Sequence, residues 1–215
     1  MQLTRRNFIK QIKTLSMGYM GIPLAQINKT SPLTPQQIEG PFYPINFPLD
    51  DDNDLTWIFG KENQALGEKI FILGKVLTRE NRPITTAKVE IWQACNSGRY
   101  NHEYDPNNAP LDANFQGWGQ TKTDQEGFYL FKTVKPGGYP VTRTWERPPH
   151  IHFKVTLSNS EEFITQLYFL EEKSLNEADK ILQRIPRDRQ SLVMTNLIRN
   201  EKLKTRVGQF NIIVD

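Results

Sequence analysis

Cysteine is nearly absent: Cys95 is the single one among 215 residues. No intrachain disulfide is therefore available even in an oxidising compartment, and Cys95 reads as a small apolar filler beside Trp92. No run of about 18 apolar residues occurs, so no transmembrane domain is expected in the mature chain. Internal repeats are missing as well, which argues against a solenoid or propeller. A large excess of one charge is also lacking, since 27 Lys and Arg stand against 24 Asp and Glu.

Even the small basic excess is local. The segment Met1–Gln26 carries Arg5, Arg6, Lys10 and Lys13, no acid, and then a modestly apolar run of small residues. Without those four, 23 of the 27 basic residues face 24 acidic ones, so the remainder is close to neutral and nucleic acid loses its support as a partner. "TRRNFIK" looks like a twin-arginine signal, an address that exports proteins already folded. Residues 1–25 are read as that signal, with cleavage near Ala25, and the expected location is periplasmic. Residues 26–38, polar and proline-containing, are read as a linker, and 39–215 as one domain.

Short segments rich in β-branched and aromatic residues dominate that domain: Lys69–Thr78, Ala87–Cys95, Gly127–Val134, His150–Leu157, Glu162–Phe169 and Val207–Asp215. "RENRP" and "TDQEG" supply turn chemistry between them. Helical signal is confined to "LNEADKILQRI" and the stretch Leu192–Ile198. The fold class expected is mainly β, an antiparallel β-sandwich with long loops and one or two short helices. "EGPFYPINFPLDDDNDL" reads as a loop along the domain edge. The excursion Asn96–Gln120 is too long for a hairpin, and its aromatic residues Tyr100, Tyr104, Phe115 and Trp118 argue against disorder.

Two of the three histidines fall in "ERPPHIHFKV". Pro148 and Pro149 stiffen the entry, and polyproline spacing projects Arg147 and His150 to one side. Beyond them the chain alternates as a strand, with Ile151, Phe153 and Val155 on one face and His150 and His152 on the other. Such imidazoles can converge on a metal ion, or be satisfied polar residues on a solvent face; the spacing alone does not choose.

Five segments in order, "EGPFYP", "VEIWQACNSGRY", "TDQEGFYLFKTVKPGGYP", "RPPHIHF" and "ITQLYF", resemble the intradiol ring-cleavage dioxygenases from Glu39 to the C-terminus. Within that family the likeness is strongest to the iron-bearing beta subunit of the protocatechuate enzymes. The resemblance implies a non-haem Fe(III) cofactor held by Tyr100, Tyr139, His150 and His152. Two hard, anionic phenolates suit a trivalent ion better than Fe(II). The implied reaction inserts both atoms of O2 between the two hydroxylated carbons of a catechol-type substrate, giving a muconate-type dicarboxylate. Tyr139 is the phenolate expected to yield its place to substrate, and Gln166 matches a polar residue that lines the family's site.

Arg147 has no lone pair to offer a metal, so its expected part is to stabilise negative charge growing on the bound substrate. The alternative for it is a surface ion pair with Glu146. His102 is read as a loop residue, and Tyr104, Phe115 and Trp118 as packing or pocket wall. Val141 stands where the protocatechuate enzymes carry tryptophan, and in those enzymes a second subunit completes the pocket. The resemblance thus implies an oligomer and leaves the catechol open. Competing readings are an Fe(II) or Zn site using His150, His152 and Glu146, and a non-catalytic exported β-sandwich that binds partners.

Replacing Arg5 and Arg6 together by lysine is expected to leave precursor in the cytoplasm, because the pair is read as arginine rather than as charge. Cell fractionation checks this, and an unchanged periplasmic yield would point to another route.

Overall fold

The computed structural model describes residues 30–215. The expected signal, residues 1–25, and the Arg5–Arg6 pair lie outside the described residues. Two five-stranded sheets face each other. In the first, β1 (Lys69–Thr78) is central and pairs antiparallel with β4 (Phe128–Val134). β11 (Thr205–Gln209) and β12 (Ile212–Val214) run parallel to successive halves of β1 at one register, and β10 (Ile198–Asn200) closes the edge beside β11. The second sheet has the order β3 (Trp118–Lys122), β2 (Lys88–Trp92), β7 (His150–Thr156), β8 (Glu162–Phe169) and β9 (Met194–Thr195).

The mainly β sandwich expected from the alternation is therefore what forms. Its pairing is antiparallel except where the C-terminal strands return: β11 and β12 on β1, and β9 on β8. Apolar residues of one period fill the space between sheets, with Ile70, Ile72 and Phe131 facing Ile91, Ile151, Phe153 and Leu167. Phe153 lies 6.4 Å from Phe131 and 5.1 Å from Phe210, ring centre to ring centre. Truncating such a ring to alanine typically costs about 3–5 kcal/mol, so β7 is fixed from this side.

Four expectations shift. Val207–Asp215 is two strands, because the chain bulges at Phe210 and Asn211: the Tyr129 hydroxyl donates to the Phe210 carbonyl at 2.5 Å, and Asn211 Oδ1 accepts from the Lys75 N–H. The helical segment Leu175–Ile185 breaks into α1 (Lys173–Ala178) and a 3-10 turn at Leu182–Arg184, since Asp179 is extended and its carboxylate accepts from the Leu182 N–H. Another short helix, α2 (Arg187–Gln190), precedes a 3-10 turn at Ser191–Val193; from Met194 onward the expected helix Leu192–Ile198 is strand, because β8 offers Phe169 as a partner to Thr195. The expected linker docks on the domain from Ser31, through backbone hydrogen bonds from Ser31 to Arg79, Thr34 to Ile213 and Gln37 to Ile164.

Cys95 is buried in the inter-sheet core, whereas Trp92 lies on the opposite face of its strand, so the two are not packing partners. The excursion Asn96–Gln120 is held by side chains turned onto backbone: Asp105 accepts from the Tyr100 N–H at 2.6 Å and Asn107 donates to the Gly98 carbonyl at 2.9 Å. Phe115 joins the core and Trp118 is buried, while Tyr104 is 68% exposed.

At one end of the first sheet Arg206 bridges Glu68 and Glu171, and Lys135 bridges Glu171 and Glu172. Hydrogen bonds from Arg206 lower the Glu68 pKa; at Glu171 burial opposes the same bonds and loses to them. Carboxylates with lowered pKa add stability above the ordinary range near 4.3, and lose it as pH falls through their folded values. Arg206→Met is thus expected to lower Tm by a few degrees at pH 7 and by almost nothing near pH 2, as read by thermal unfolding across pH.

Candidate metal centre

The outer face of β7 carries the site. With Ile151, Phe153 and Val155 committed to the core, His150 and His152 must point the other way. Cross-strand register then sets their neighbours, placing Trp92 and Gln166 on either side of His152 and Tyr168 opposite His150. Trp92 stacks on His152 at 4.8 Å and 14°.

Three segments close over this face. The excursion brings Tyr100, which lies 3.4 Å from His150 Nε2 through its hydroxyl. A separate hairpin of β5 (Tyr139–Thr142) and β6 (Trp145–Arg147) brings Tyr139, with its ring 5.6 Å from Tyr100 and 5.7 Å from His150. The edge loop "EGPFYP" brings Phe42, 4.6 Å from the Tyr100 ring. Gly40 in that loop has φ +79, and a Cβ there would stand 3.3 Å from His152 Cε1. The loop is pinned by Lys154, which is paired with Glu39 at 2.8 Å and sits 3.8 Å over the Tyr43 ring, and by the Tyr43 hydroxyl donating to Glu90 at 2.9 Å.

The donor set suits a hard cation. His150 donates Nδ1–H to the Pro148 carbonyl at 2.7 Å, so its Nε2 carries a lone pair, and that atom faces His152 Nε2 at 3.2 Å. A second-sphere carbonyl fixing one imidazole nitrogen is how ligating histidines are oriented. Burial, reinforced by the Arg147 charge, pushes both histidine pKa values well down, so the rings are neutral. Burial also raises the pKa of Tyr100 and Tyr139, hence only a bound cation would ionise these phenols. The four expected ligands thus come together at one place. Among the described residues no carboxylate, thiol or further imidazole joins the two histidines, and Glu146, the third ligand of the His/carboxylate alternative, is exposed.

Arg147 belongs to β6, paired with Tyr139, rather than to a polyproline turn. It is 4% exposed, and its ion-pair partner is Asp179 at 3.0 Å, not Glu146. Its Nη2 donates to Gln166 Oε1 at 2.6 Å and to the Tyr168 hydroxyl at 3.2 Å. Gln166 is fully buried beneath the site, where its amide donates to the Ile38 carbonyl at 3.0 Å. It holds Arg147 and stands across from His152 in the β7–β8 pair. His102 packs at the rim, 5.6 Å from Phe42, with Nε2 3.2 Å from the Tyr43 carbonyl. Sequence reasoning missed the closing role of the edge loop, and with it Trp92, Tyr168 and Asp179; a Gly-Pro pair followed by two aromatics was the one local signal for the loop.

A family model described as Dioxygenase matches residues 38–215. The chain belongs to the intradiol ring-cleavage dioxygenase family. It is 44% identical over 122 residues to the protocatechuate 3,4-dioxygenase beta chain of Burkholderia cepacia, covering 55% of this chain and 52% of that one. The chain spans about half the length of curated relatives that it matches. Among solved structures, the intradiol ring-cleavage dioxygenase from Tetranychus urticae shares the fold with a TM-score of 0.68 at 22% identity, over 86% of this chain and 95% of that one. The dioxygenase domain of a dioxygenase carbohydrate-binding protein fusion from Streptomyces sp. SirexAA-E gives 0.64 at 25% identity, over 86% and 99%.

The two tyrosine-bearing loops meet backbone to backbone: Gly98 has φ +85, and a Cβ on it would lie 2.2 Å from the Gly138 carbonyl oxygen. Gly98→Ala is therefore expected to push the loops apart, cutting bound metal at least about tenfold in elemental analysis while Tm falls by only a few degrees.

Proposed function

We propose that this chain is a non-haem Fe(III) dioxygenase that cleaves a catechol-type ring between its hydroxylated carbons with O2, giving a muconate-type dicarboxylate. The observation that carries the reading is the convergence on His150 Nε2 of the Tyr100 hydroxyl at 3.4 Å and His152 Nε2 at 3.2 Å, with the Tyr139 ring 5.6 Å from that of Tyr100. Tyr100, Tyr139, His150 and His152 would hold the ion. When bound, Fe(III) supplies Lewis acidity that binds a catechol dianion and readies its ring for O2.

The protein's own groups account for the rest. Two neutral imidazoles and two phenolates leave one net positive charge on a trivalent ion, enough to attract an anionic substrate into a desolvated pocket. Tyr139 stands on a hairpin joined to neither main sheet, so of the two phenolates that would hold the ion its own is the one placed to step aside and take a catechol proton on Oη. Tyr100 is buried and tethered through Asp105, so it stays. The Arg147 guanidinium, beside both tyrosines and both histidines, offers a fixed positive charge where ring electron density grows. Val141 is 46% exposed next to Tyr139, so that side admits a substrate bulkier than catechol.

Oligomerisation is part of the proposal, since relatives include chains named alpha and beta of protocatechuate 3,4-dioxygenase. So is export by the twin-arginine route, on the Arg5–Arg6 segment.

Purified protein is expected to hold stoichiometric iron and to absorb visible light, a band that Tyr100→Phe alters. A colourless, iron-free protein would defeat the reading. Arg147→Leu is expected to keep its iron and its spectral change on adding catechol while turnover, followed by oxygen uptake, falls about a hundredfold. Turnover within a few-fold of the parent would remove Arg147 from catalysis.

A further inference from the structure

The helical signal "LNEADKILQRI" places an acid in the centre of the protein. Asp179 has no exposed surface, and its carboxylate makes three contacts. Oδ1 lies 3.0 Å from Arg147 Nε and accepts from the Trp145 indole N–H at 3.2 Å; Oδ2 accepts from the Leu182 N–H at 3.0 Å. The Arg147 Nε contact is an ion pair without in-line hydrogen-bond geometry. Asp179 is itself fixed from behind. Its backbone carbonyl accepts from Gln183, and its N–H donates to Asn176, whose side-chain amide donates to the Phe169 carbonyl at the end of β8.

Burying a carboxylate is costly unless a cation and hydrogen bonds meet it, and here both do. The converse holds for Arg147: next to a trivalent centre, a buried guanidinium without a counter-charge would be driven away. Gln166 and Tyr168 engage Nη2 alone, leaving the plane free to swing, whereas Asp179 at Nε fixes a second point.

We propose that Asp179 is the positioning residue that fixes the Arg147 guanidinium beside the metal ligands and balances its charge. The corner from Lys173 to Ile185 is thereby part of the site, although it contributes no ligand. The inference rests on the reading of Arg147 as the group that stabilises negative charge on bound substrate.

The test is a double-mutant cycle on the iron-loaded enzyme. Asp179→Asn, close to isosteric, is expected to lower kcat about tenfold or more, with the KM for catechol and the iron content within about twofold. Against Arg147→Leu the same change should alter kcat less than about twofold, because its effect passes through the arginine. A parent-like kcat for Asp179→Asn, or an equal loss in both backgrounds, overturns the proposal. Urea unfolding of the metal-free protein reads the pair independently of catalysis. The double variant should have a higher midpoint than Asp179→Asn alone, since the single change strands a buried cation; a lower midpoint for the double variant counts against the pair. If Arg147→Leu retains turnover, the reading of Arg147 falls and takes the positioning role with it, while the urea midpoints still show whether the pair exists. Should Asp179→Asn fail to fold, Trp145→Phe removes only the indole donor to Oδ1. A loss of kcat by a few-fold at constant iron is expected there, and an unchanged kcat overturns the proposal.

Discussion

The alternation of β7 is the constraint on which the site depends. One face of a central strand is locked into the core by Ile151, Phe153 and Val155, so the other face has no freedom in where it presents His150 and His152. Slipping the register by one residue would bury imidazoles among phenylalanines and expose the core residues, a change no local contact could offset. Pairing on both sides adds the next layer at no further choice of position: Trp92 from β2, and Gln166 and Tyr168 from β8. Tyr100 and Gly40 reach the histidines from loops, and Tyr139 from the β5–β6 hairpin, all shaped to that fixed platform.

Burial then acts on every titrating group of the platform in the direction that suits a cation. It favours neutral histidine, whose lone pair is what a metal needs, and it favours neutral phenol, which makes an unoccupied arrangement free of buried negative charge. Arg147 brings a buried positive charge beside the ligands, and Asp179 is the reason this is tolerable. The polar chain Asp179, Arg147, Gln166, Tyr168 and Gln37 runs beneath the ligands and ties β6, β8 and the stretch before Glu39 together. That chain gives residues 31–38 a structural reason to be docked.

Legibility in the sequence followed the range of the interactions. The strands of the core and the opposed faces of β7 were readable because alternation is a local property of the chain. The parallel return of β11, β12 and β9 was not, since it depends on which edge is free after the other strands have paired. The ligand set came from motif order, not from periodicity; Tyr100 and Tyr139 alone would pass for packed aromatics. Gln166 was read as lining the site; it lies across from His152 and is covered by Arg147 and the edge loop, a cover that a strand pattern does not reveal. Asp179 was invisible for a further reason: the hydrogen bond that ends α1 is the same carboxylate's third contact, and a helical pattern carries no trace of a partner 32 residues upstream.

The two tyrosines are similar in chemistry and differ in mechanical support, and this difference carries the last step. Tyr100 lies within a loop stitched by Asp105, Asn107 and Arg99, the last donating to the Ala109 carbonyl at 3.0 Å. Tyr139 opens a two-stranded hairpin with a register irregularity between Pro140 and Thr142 and exposed residues immediately after it. Tyr139 thus stands on the element with fewer ties to the main sheets, and moving it would disturb neither of them. The hairpin also carries Arg147 on its returning strand, opposite Tyr139, where Asp179, Gln166 and Tyr168 hold it. The returning strand of the hairpin is thus anchored at the guanidinium, while the turn into Tyr139 is held against the other tyrosine-bearing loop at Gly98 and Gly138.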